Sequence, residues 1–259
     1  MNIDSEKLYP EGSLLMLSIY PAAHENDEHV FRELYRVVRE HVESSAKYVD
    51  VIPREHDYDL VYEHSDLMAR MEFDGSRDHE LPFREDTEYR VVKAYVGTER
   101  LGPVIITYEP ADGAERHPVT AYLADDVLGI PDELWSEEDR RAAAELHDWA
   151  HAVFSAACTR TVPRYAQLAS ETSLPLPHEI LAGQRLDGTV YLSKELIDEN
   201  LSFTDSLRVE YGAKAVEELS HGFIFDDWLP FRETGITREN YRGYAEKIRE
   251  VAATGLSDR

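Results

Sequence analysis

Residues 14–20 have the sequence Leu14-Leu-Met-Leu-Ser-Ile-Tyr20, an almost continuous apolar run between Gly12 and Pro21. An apolar run of this length between a glycine and a proline is more typical of a buried β-strand than of a helix. Over about residues 25–45, apolar side chains then recur every three or four residues, which predicts an amphipathic helix. A strand followed by a helix indicates a fold that combines both kinds of element.

The pattern then changes to an alternation of apolar and polar side chains in short segments. Pro53, Asp57 and the pair Asp74-Gly75 interrupt these segments, and such residues are typical of turns between strands. Strands are predicted over residues 48–52, 58–62, 67–73, 89–96, 103–108 and 119–123. Because short strands that follow one another through turns form a meander, we expect them to pair antiparallel.

The second half of the chain contains further predicted helices and strands. A long helix begins after Ser136, and a last helix begins at the N-cap residue Thr237 and ends at Gly255. Strands are also predicted over residues 165–169 and 189–192, with a short helical turn at 179–182 between them. Together these elements predict an α+β fold, in which a mainly antiparallel sheet, a meander, packs against a few amphipathic helices.

Length and composition indicate one globular unit. The chain has 259 residues, 42% of which are hydrophobic, so it can form a sizeable core and is not a disordered tail. No internal repeat and no low-complexity linker divides it. We therefore expect a single domain over residues 1–259, with a candidate seam near residues 129–135.

The charge balance argues against direct nucleic-acid binding. The chain contains 52 acidic and 27 basic residues and has a formal net charge of -25. A phosphate backbone is bound by clustered lysine and arginine, whereas acidic residues outnumber basic ones in nearly every segment of this chain. We therefore expect no direct nucleic-acid binding.

The type of basic residue is also informative, because arginine outnumbers lysine throughout the chain. Acid excess with scarce lysine resembles the composition of halophilic proteins, the cytosolic proteins of salt-loving archaea, whose hydrated carboxylates keep them soluble in molar salt. The alternatives are a specialised acidic binding face and an acidic nucleic-acid mimic, in which carboxylates imitate the spacing of phosphates. Salt adaptation predicts carboxylates on all faces, whereas mimicry predicts them on one face.

Cysteine content and the first residues bear on the compartment. Cys158 is the only cysteine, so the chain cannot form an internal disulfide, which fits a reducing compartment. Residues 1–12 lack the basic region of a secretory signal, and the apolar run over residues 13–23 is shorter than the roughly 20 residues needed to cross a bilayer. We therefore expect a cytoplasmic protein without membrane insertion.

The strongest candidate for chemistry is the pair His147 and His151 on the second long helix. Histidines four residues apart project from the same side of a helix and can both bind one metal ion. Asp148 stands where the metalloprotease motif has glutamate, and this shorter carboxylate is badly placed to polarise a metal-bound water. The pair therefore suggests a metal site but not a metalloprotease.

A third metal ligand would come from Glu218 or His221, which are three residues apart, if residues 216–221 are helical. Two histidines and a carboxylate would form the site of a metal-dependent hydrolase or oxygenase. The alternative is that the two histidines lie on the flank of the apolar stripe, approach solvent and bind no metal.

No other pattern predicts catalysis, so we predict no catalytic residues and no cofactor, and the chain is expected not to be an enzyme unless the metal site forms. A Gly-x-Ser-x-Gly elbow, a phosphate-binding loop and a dinucleotide fingerprint are all missing from the sequence. Adjacent carboxylates such as Asp125-Asp126 are expected by chance in so acidic a chain.

One segment is suited to protein contact. Residues 223–231 combine large aromatic side chains with two adjacent carboxylates, a mixture that protein interfaces use. The candidate partner-binding residues are Phe223, Phe225, Asp226, Asp227, Trp228 and Phe231. The alternative for the first two aromatic residues is packing in the core.

The order of elements resembles the layout of immunity proteins of polymorphic-toxin systems. The resemblance includes the segment Pro163-Arg-Tyr-Ala-Gln-Leu-Ala169, with a proline-rich loop and a short strand after it. It implies a cytoplasmic, cofactor-free α+β protein that binds and blocks one cognate toxin, often with an acidic surface facing a basic nuclease. Our first hypothesis is therefore a non-enzymatic protein-binding protein whose partner is a protein such as a basic toxin, and the sequence leaves its oligomeric state open.

Overall fold

The computed structural model describes residues 9–10, 12–42, 44, 46–56, 68–73, 88–98, 102–109, 116–124, 137–197, 201–226 and 238–257. Within these residues, ten strands form one sheet with the order β3-β2-β4-β5-β6-β1-β7-β8-β10-β9, and all neighbouring strands are antiparallel. The strands are β1 (Leu14–Tyr20), β2 (Ala46–Pro53), β3 (Ala69–Glu72), β4 (Tyr89–Thr98), β5 (Gly102–Tyr108), β6 (Val119–Ala124), β7 (Tyr165–Ser170), β8 (Thr189–Ser193), β9 (Val216–Glu218) and β10 (Gly222–Phe225).

The described residues also include six helices. They are α1 (Asp27–Val42), α2 (Glu137–Thr161), α3 (Pro177–Leu181), α4 (Lys194–Ile197), α5 (Leu201–Tyr211) and α6 (Arg238–Ser257). A 3-10 turn, Ala213–Ala215, precedes β9. No helix in the described part of the chain is both long enough and apolar enough to cross a bilayer.

The sheet separates two hydrophobic cores. Leu17 of β1 packs on one side with Phe31 of α1 and Phe154 of α2, while Tyr20 packs on the other side with Ile248 of α6. This division follows from the alternation of side chains along a strand, which directs neighbouring residues to opposite faces. The strand β1 lies between β6 and β7 and thus joins the two halves of the sheet.

The predicted fold class is confirmed, because the sheet is antiparallel and packs against amphipathic helices. The apolar run at residues 14–20 is β1, and the helix after it is α1, which is shorter than predicted at both ends. The strand predicted over residues 58–62 and the candidate seam at residues 129–135 lie outside the described residues. Strands from both sides of that seam belong to the same sheet.

The end of the last helix was predicted wrongly. Gly255 does not stop α6, which continues to Ser257. The glycine instead allows close packing, because a Cβ atom built on it would overlap the carbonyl group of Leu196 in α4. A glycine near a helix end is therefore used here for the approach of a neighbouring backbone rather than for a C-cap.

The segment over residues 216–221 is not helical. It contains the strand β9, followed by a tight connection to β10 in which the amide of Leu219 donates to the carbonyl of Gly222 at 2.9 Å. The proposed helical spacing of Glu218 and His221 is therefore wrong. This short strand is defined by its pairing with β10, which the local sequence does not reveal.

Candidate functional site

The histidine pair of α2 lies over the end of the sheet formed by β8, β10 and β9. His147 and His151 point towards Asp226 directly after β10, and His151 also lies near Glu217 in β9. Thr189 at the start of β8 is hydrogen-bonded to the same aspartate. The two imidazole rings are neighbours, with centroids 5.8 Å apart. The helical spacing thus places both rings on one side of α2, as predicted. We call His147, His151, Thr189, Glu217 and Asp226 the histidine–aspartate cluster.

Asp226 is the centre of this cluster. Its Oδ1 accepts a hydrogen bond from Nε2 of His147 at 3.2 Å and another from the Thr189 hydroxyl at 3.1 Å. The side chains of His147 and Asp226 are 7% and 2% exposed, respectively. A carboxylate this deeply buried needs a positive partner and hydrogen bonds, and the cluster supplies both.

The rim of the cluster is more open. Nε2 of His151 lies 3.6 Å from the Glu217 carboxylate and 3.9 Å from Oδ2 of Asp226, with 20% of the His151 side chain exposed. The Ser155 hydroxyl donates to Glu217 at 3.3 Å. The carboxylate of Asp148 lies 3.7 Å from Nδ1 of His147. Two acidic side chains therefore flank the histidines on the solvent side.

The electrostatics of the cluster stabilise the ionised form of Asp226. Burial acts to raise the pKa of this carboxyl, but the hydrogen bond from His147 and the positive charges of His147 and His151 outweigh burial. The hydrogen bond from Thr189 acts in the same direction, and the resulting pKa is lowered from the ordinary aspartate value. Asp226 is thus a buried anion held by an imidazole pair.

This arrangement is suited to joining α2 to the sheet. An imidazole and a carboxylate at hydrogen-bond distance can in principle act as a general base, but a substrate must reach the imidazole. His147 is almost completely buried, and each carboxylate oxygen of Asp226 faces a histidine. The interaction is therefore a buried hydrogen bond that links α2 to the residue directly after β10.

The predicted metal ligands do not all come together. Glu218 forms an ion pair with Lys194 at 3.1 Å, and His221 lies exposed in the connection between β9 and β10. Glu217 and Glu218 are neighbours in a strand and point to opposite faces, so it is Glu217 that reaches His151. Among the described residues, no group of three or more histidine, cysteine, aspartate or glutamate side chains is arranged to hold a metal ion.

The structure also places the His147 side chain differently from the prediction. The helical angles predict both histidines on the flank of the apolar stripe, near solvent, whereas His147 is buried. The reason is that the sheet extends below this part of α2 through β8 and β10. Sequence periodicity gives the angle of a side chain around its helix but not the width of the surface beneath it.

The predicted partner-binding segment is largely internal where it is described. Phe223, Phe225 and Asp226 are buried, since β10 lies between β8 and β9 and is covered on both faces. The expectation that these three side chains form a contact surface is therefore wrong. Asp227, Trp228 and Phe231 lie outside the described residues.

Sequence reasoning missed Thr189 and Glu217, and it assigned Asp226 to the wrong kind of role. No local signal could have found them, since Asp226 is 79 residues from His147 along the chain. Only the pairing of β8, β10 and β9 brings these residues below α2.

The comparisons with known proteins identify no relative. No protein-family model, no curated protein and no solved structure matches the chain. Its function must therefore be inferred from its own residues.

Acidification is expected to remove the contribution of Asp226 to stability. Because the pKa of Asp226 is lowered in the folded protein, this contribution is present above the unfolded-state pKa, about 3.9, and is lost as the pH falls through the folded-state pKa. Guanidinium denaturation at constant salt would compare the wild type with Asp226→Asn. The difference in free energy of unfolding should decrease below about pH 4, and a constant difference would contradict the ion pair.

Proposed function

We propose that this chain is a non-enzymatic protein-binding protein of the immunity type, which binds and blocks a basic protein such as a toxin. The observation that carries the proposal is the contrast between a buried hydrogen-bonded pair and the exposed carboxylates around it. His147 and Asp226 contact each other in the interior. In contrast, the side chains of Asp148, Glu217 and Glu218 are 66%, 43% and 56% exposed, respectively. These carboxylates reach the surface, where a positively charged partner can approach them.

The strand β9 offers a backbone edge beside these carboxylates. The carbonyl of Ala215 accepts from the amide of Asp226 at 3.0 Å, and the amide of Leu219 donates to Gly222, so these residues face β10. In an antiparallel pair the intervening residues direct their amide and carbonyl groups away from the partner strand. Val216 and Glu218 therefore direct these groups to the outer side of β9, the last strand in the described sheet; Val216 is buried there, and Glu218 is exposed.

The charges at this edge favour a basic occupant. Glu217 and Glu218 project to opposite faces of β9, and His151 and Lys194 hold their carboxylates in defined positions. An extended segment that adds to an exposed edge is bound through main-chain hydrogen bonds, with alternate side chains supplying specificity. Basic side chains on such a segment would meet Glu217 on one face and Glu218 on the other. We therefore infer that the partner contributes an extended basic segment.

The distribution of the other exposed carboxylates favours salt adaptation over nucleic-acid mimicry. Glu40 of α1 is exposed on one side of the sheet, whereas Glu195 of α4 and Glu250 of α6 are exposed on the other. A mimic would concentrate its carboxylates on one face. We propose that the general acidity serves solubility at high salt and that recognition is confined to the edge at β9.

Three synthetic peptides that favour an extended conformation test this proposal. Valine alternates with lysine in the first, with serine in the second and with glutamate in the third. Binding is measured by titration calorimetry at the lowest salt concentration that keeps the protein folded. We expect the lysine peptide to bind most tightly and the glutamate peptide least tightly, because charge complementarity discriminates between partners. Methylation of alternate peptide amides should weaken binding by removing main-chain hydrogen bonds.

A matched pair of variants locates the site. Glu218→Lys at the edge of β9 should weaken the binding of the lysine peptide by about threefold to tenfold. Glu210→Lys on α5 removes a comparable exposed ion pair, that with Lys247, and should have no such effect. Equal binding of the lysine and glutamate peptides, or equal loss in the two variants, would refute the proposed site.

A further inference from the structure

A cleft of about 400 Å³ lies on the α1 side of the sheet, far along the chain from the histidine–aspartate cluster. It is formed by the segment that leads into α1, the first turn of α1, the strands β4 and β5, and the residues just before β6. Its volume lies in the range of small-molecule sites in proteins. None of its lining residues belongs to the cluster or to β9.

One wall of the cleft is acidic and its side chains are already fixed. Glu28 receives two hydrogen bonds from Arg54, at 2.8 and 3.2 Å. Asp27 is paired with Arg116, which also donates to the backbone carbonyls of Ala22 and Glu25. These interactions hold the carboxylates in place before any ligand arrives, so a ligand need not order them.

The lining also contains basic side chains. They are Arg90 of β4, His117 and Arg116, which is the partner of Asp27. Arg90 donates to the backbone carbonyl of His56 at 2.9 Å through Nη2, whereas its Nε is buried and has no hydrogen-bond acceptor among the described residues. Arg90 itself lines the cleft, and the forked donors of an arginine side chain are suited to binding a carboxylate.

The floor of the cleft is apolar. Val92 and Tyr108 are both buried, and the Tyr108 ring is stacked on Phe31 with centroids 5.3 Å apart. A small apolar group can therefore rest on the floor while polar groups of the same ligand contact the charged side chains of the lining.

We propose that this cleft binds a small zwitterion that carries both an ammonium and a carboxylate group, of the amino-acid class. The lining contains three carboxylates, two guanidinium groups and two imidazoles, so neither a simple anion nor a simple cation matches it. The ligand carboxylate is placed against Arg90, and its ammonium group against Glu28 and Asp27. Since the cleft shares no residue with the edge at β9, this inference is independent of the proposed function.

Three matched probes test the ligand class. Leucine carries both charged groups, 3-methylbutylamine lacks its carboxylate, and 4-methylpentanoate lacks its ammonium group. Titration calorimetry on the full chain should show that leucine binds at least about tenfold more tightly than either analogue, because each charged hydrogen bond contributes to affinity. Absence of leucine binding at millimolar concentrations, or equal binding of all three probes, would overturn the proposal.

Two pairs of variants locate the binding in the cleft. Arg90→Gln and Glu28→Gln should each weaken leucine binding about tenfold. Glu40→Gln and Arg160→Gln are the controls, because these residues form an exposed ion pair elsewhere on α1 and α2. Thermal melting verifies that all four variants are folded. Loss of binding in the controls to the same extent, or full binding in both cleft variants, would also overturn the proposal.

Discussion

Asp226→Ala is expected to lower the free energy of unfolding by about 1–3 kcal/mol, because it removes the acceptor of two buried hydrogen bonds, those from His147 and Thr189. Asp226 is 2% exposed and accepts hydrogen bonds from His147 and Thr189. The substitution therefore leaves the His147 imidazole buried without its carboxylate. Guanidinium denaturation at neutral pH and constant salt measures the effect.

Asp148→Ala is the matched control for this substitution. Its carboxylate lies 3.7 Å from the same histidine but is 66% exposed. Exposed ion pairs contribute little, so we expect a change of at most about 1 kcal/mol. If the two variants were equally stable, the buried hydrogen bonds of Asp226 would not stabilise the fold, and an open site around His147 would become the better interpretation.

Gly255→Ala is expected to destabilise the protein by about 1–3 kcal/mol, although alanine is the better helix former. Gly255 lies inside α6, and an added Cβ would overlap the carbonyl group of Leu196 and lie 2.8 Å from its Cα. Backbone atoms cannot move aside as the end of a flexible side chain can. The helix α6 would therefore have to separate from α4, and the melting temperature would fall.

Gly243→Ala in the same helix should have the opposite effect. The nearest atom to a Cβ at this position is the Tyr211 hydroxyl at 3.6 Å, an ordinary contact distance. Alanine should therefore stabilise the helix by about 0.5–1 kcal/mol through its better propensity. Destabilisation of both variants to the same extent would show that close packing against α4 does not require Gly255.

The histidine–aspartate cluster illustrates how a chemical motif can serve the fold. Two histidines at a spacing typical of metal ligands are instead directed towards a buried carboxylate. The carboxylates that remain exposed, on Asp148, Glu217 and Glu218, lie around them at the edge of the sheet. The proposed recognition of a basic partner depends on this rim, and the stability of the rim depends on the buried pair.

The long, strongly periodic elements could be predicted from the sequence. The apolar run over residues 14–20 is β1, and the stripes of α1 and α2 are buried against the sheet. Short elements such as α4 and β9 were not predicted, because segments of three or four residues have no measurable period. Their conformation is set by the neighbours with which they pair and pack.

The candidate site could be predicted only in part. The spacing of His147 and His151 indicates that they share one side of a helix, and this holds. The third member of the cluster was sought at Glu218 or His221, whereas the structure provides Asp226 and Glu217. A one-residue difference in a strand reverses the face of the sheet, so helical spacing selected the wrong glutamate.

The sequence by itself determined the α+β class, the positions of most long strands and helices but not of α5, and the acidic character of the chain, because periodicity and composition act locally. Only the tertiary structure decided that Asp226 lies below His147, 79 residues away, and that Arg90 and Glu28 face one cleft. These contacts depend on strand order and register, which are fixed by the packing of the whole sheet. The fold therefore decides which distant residue a side chain contacts, whereas the local sequence decides where that side chain lies within its helix or strand.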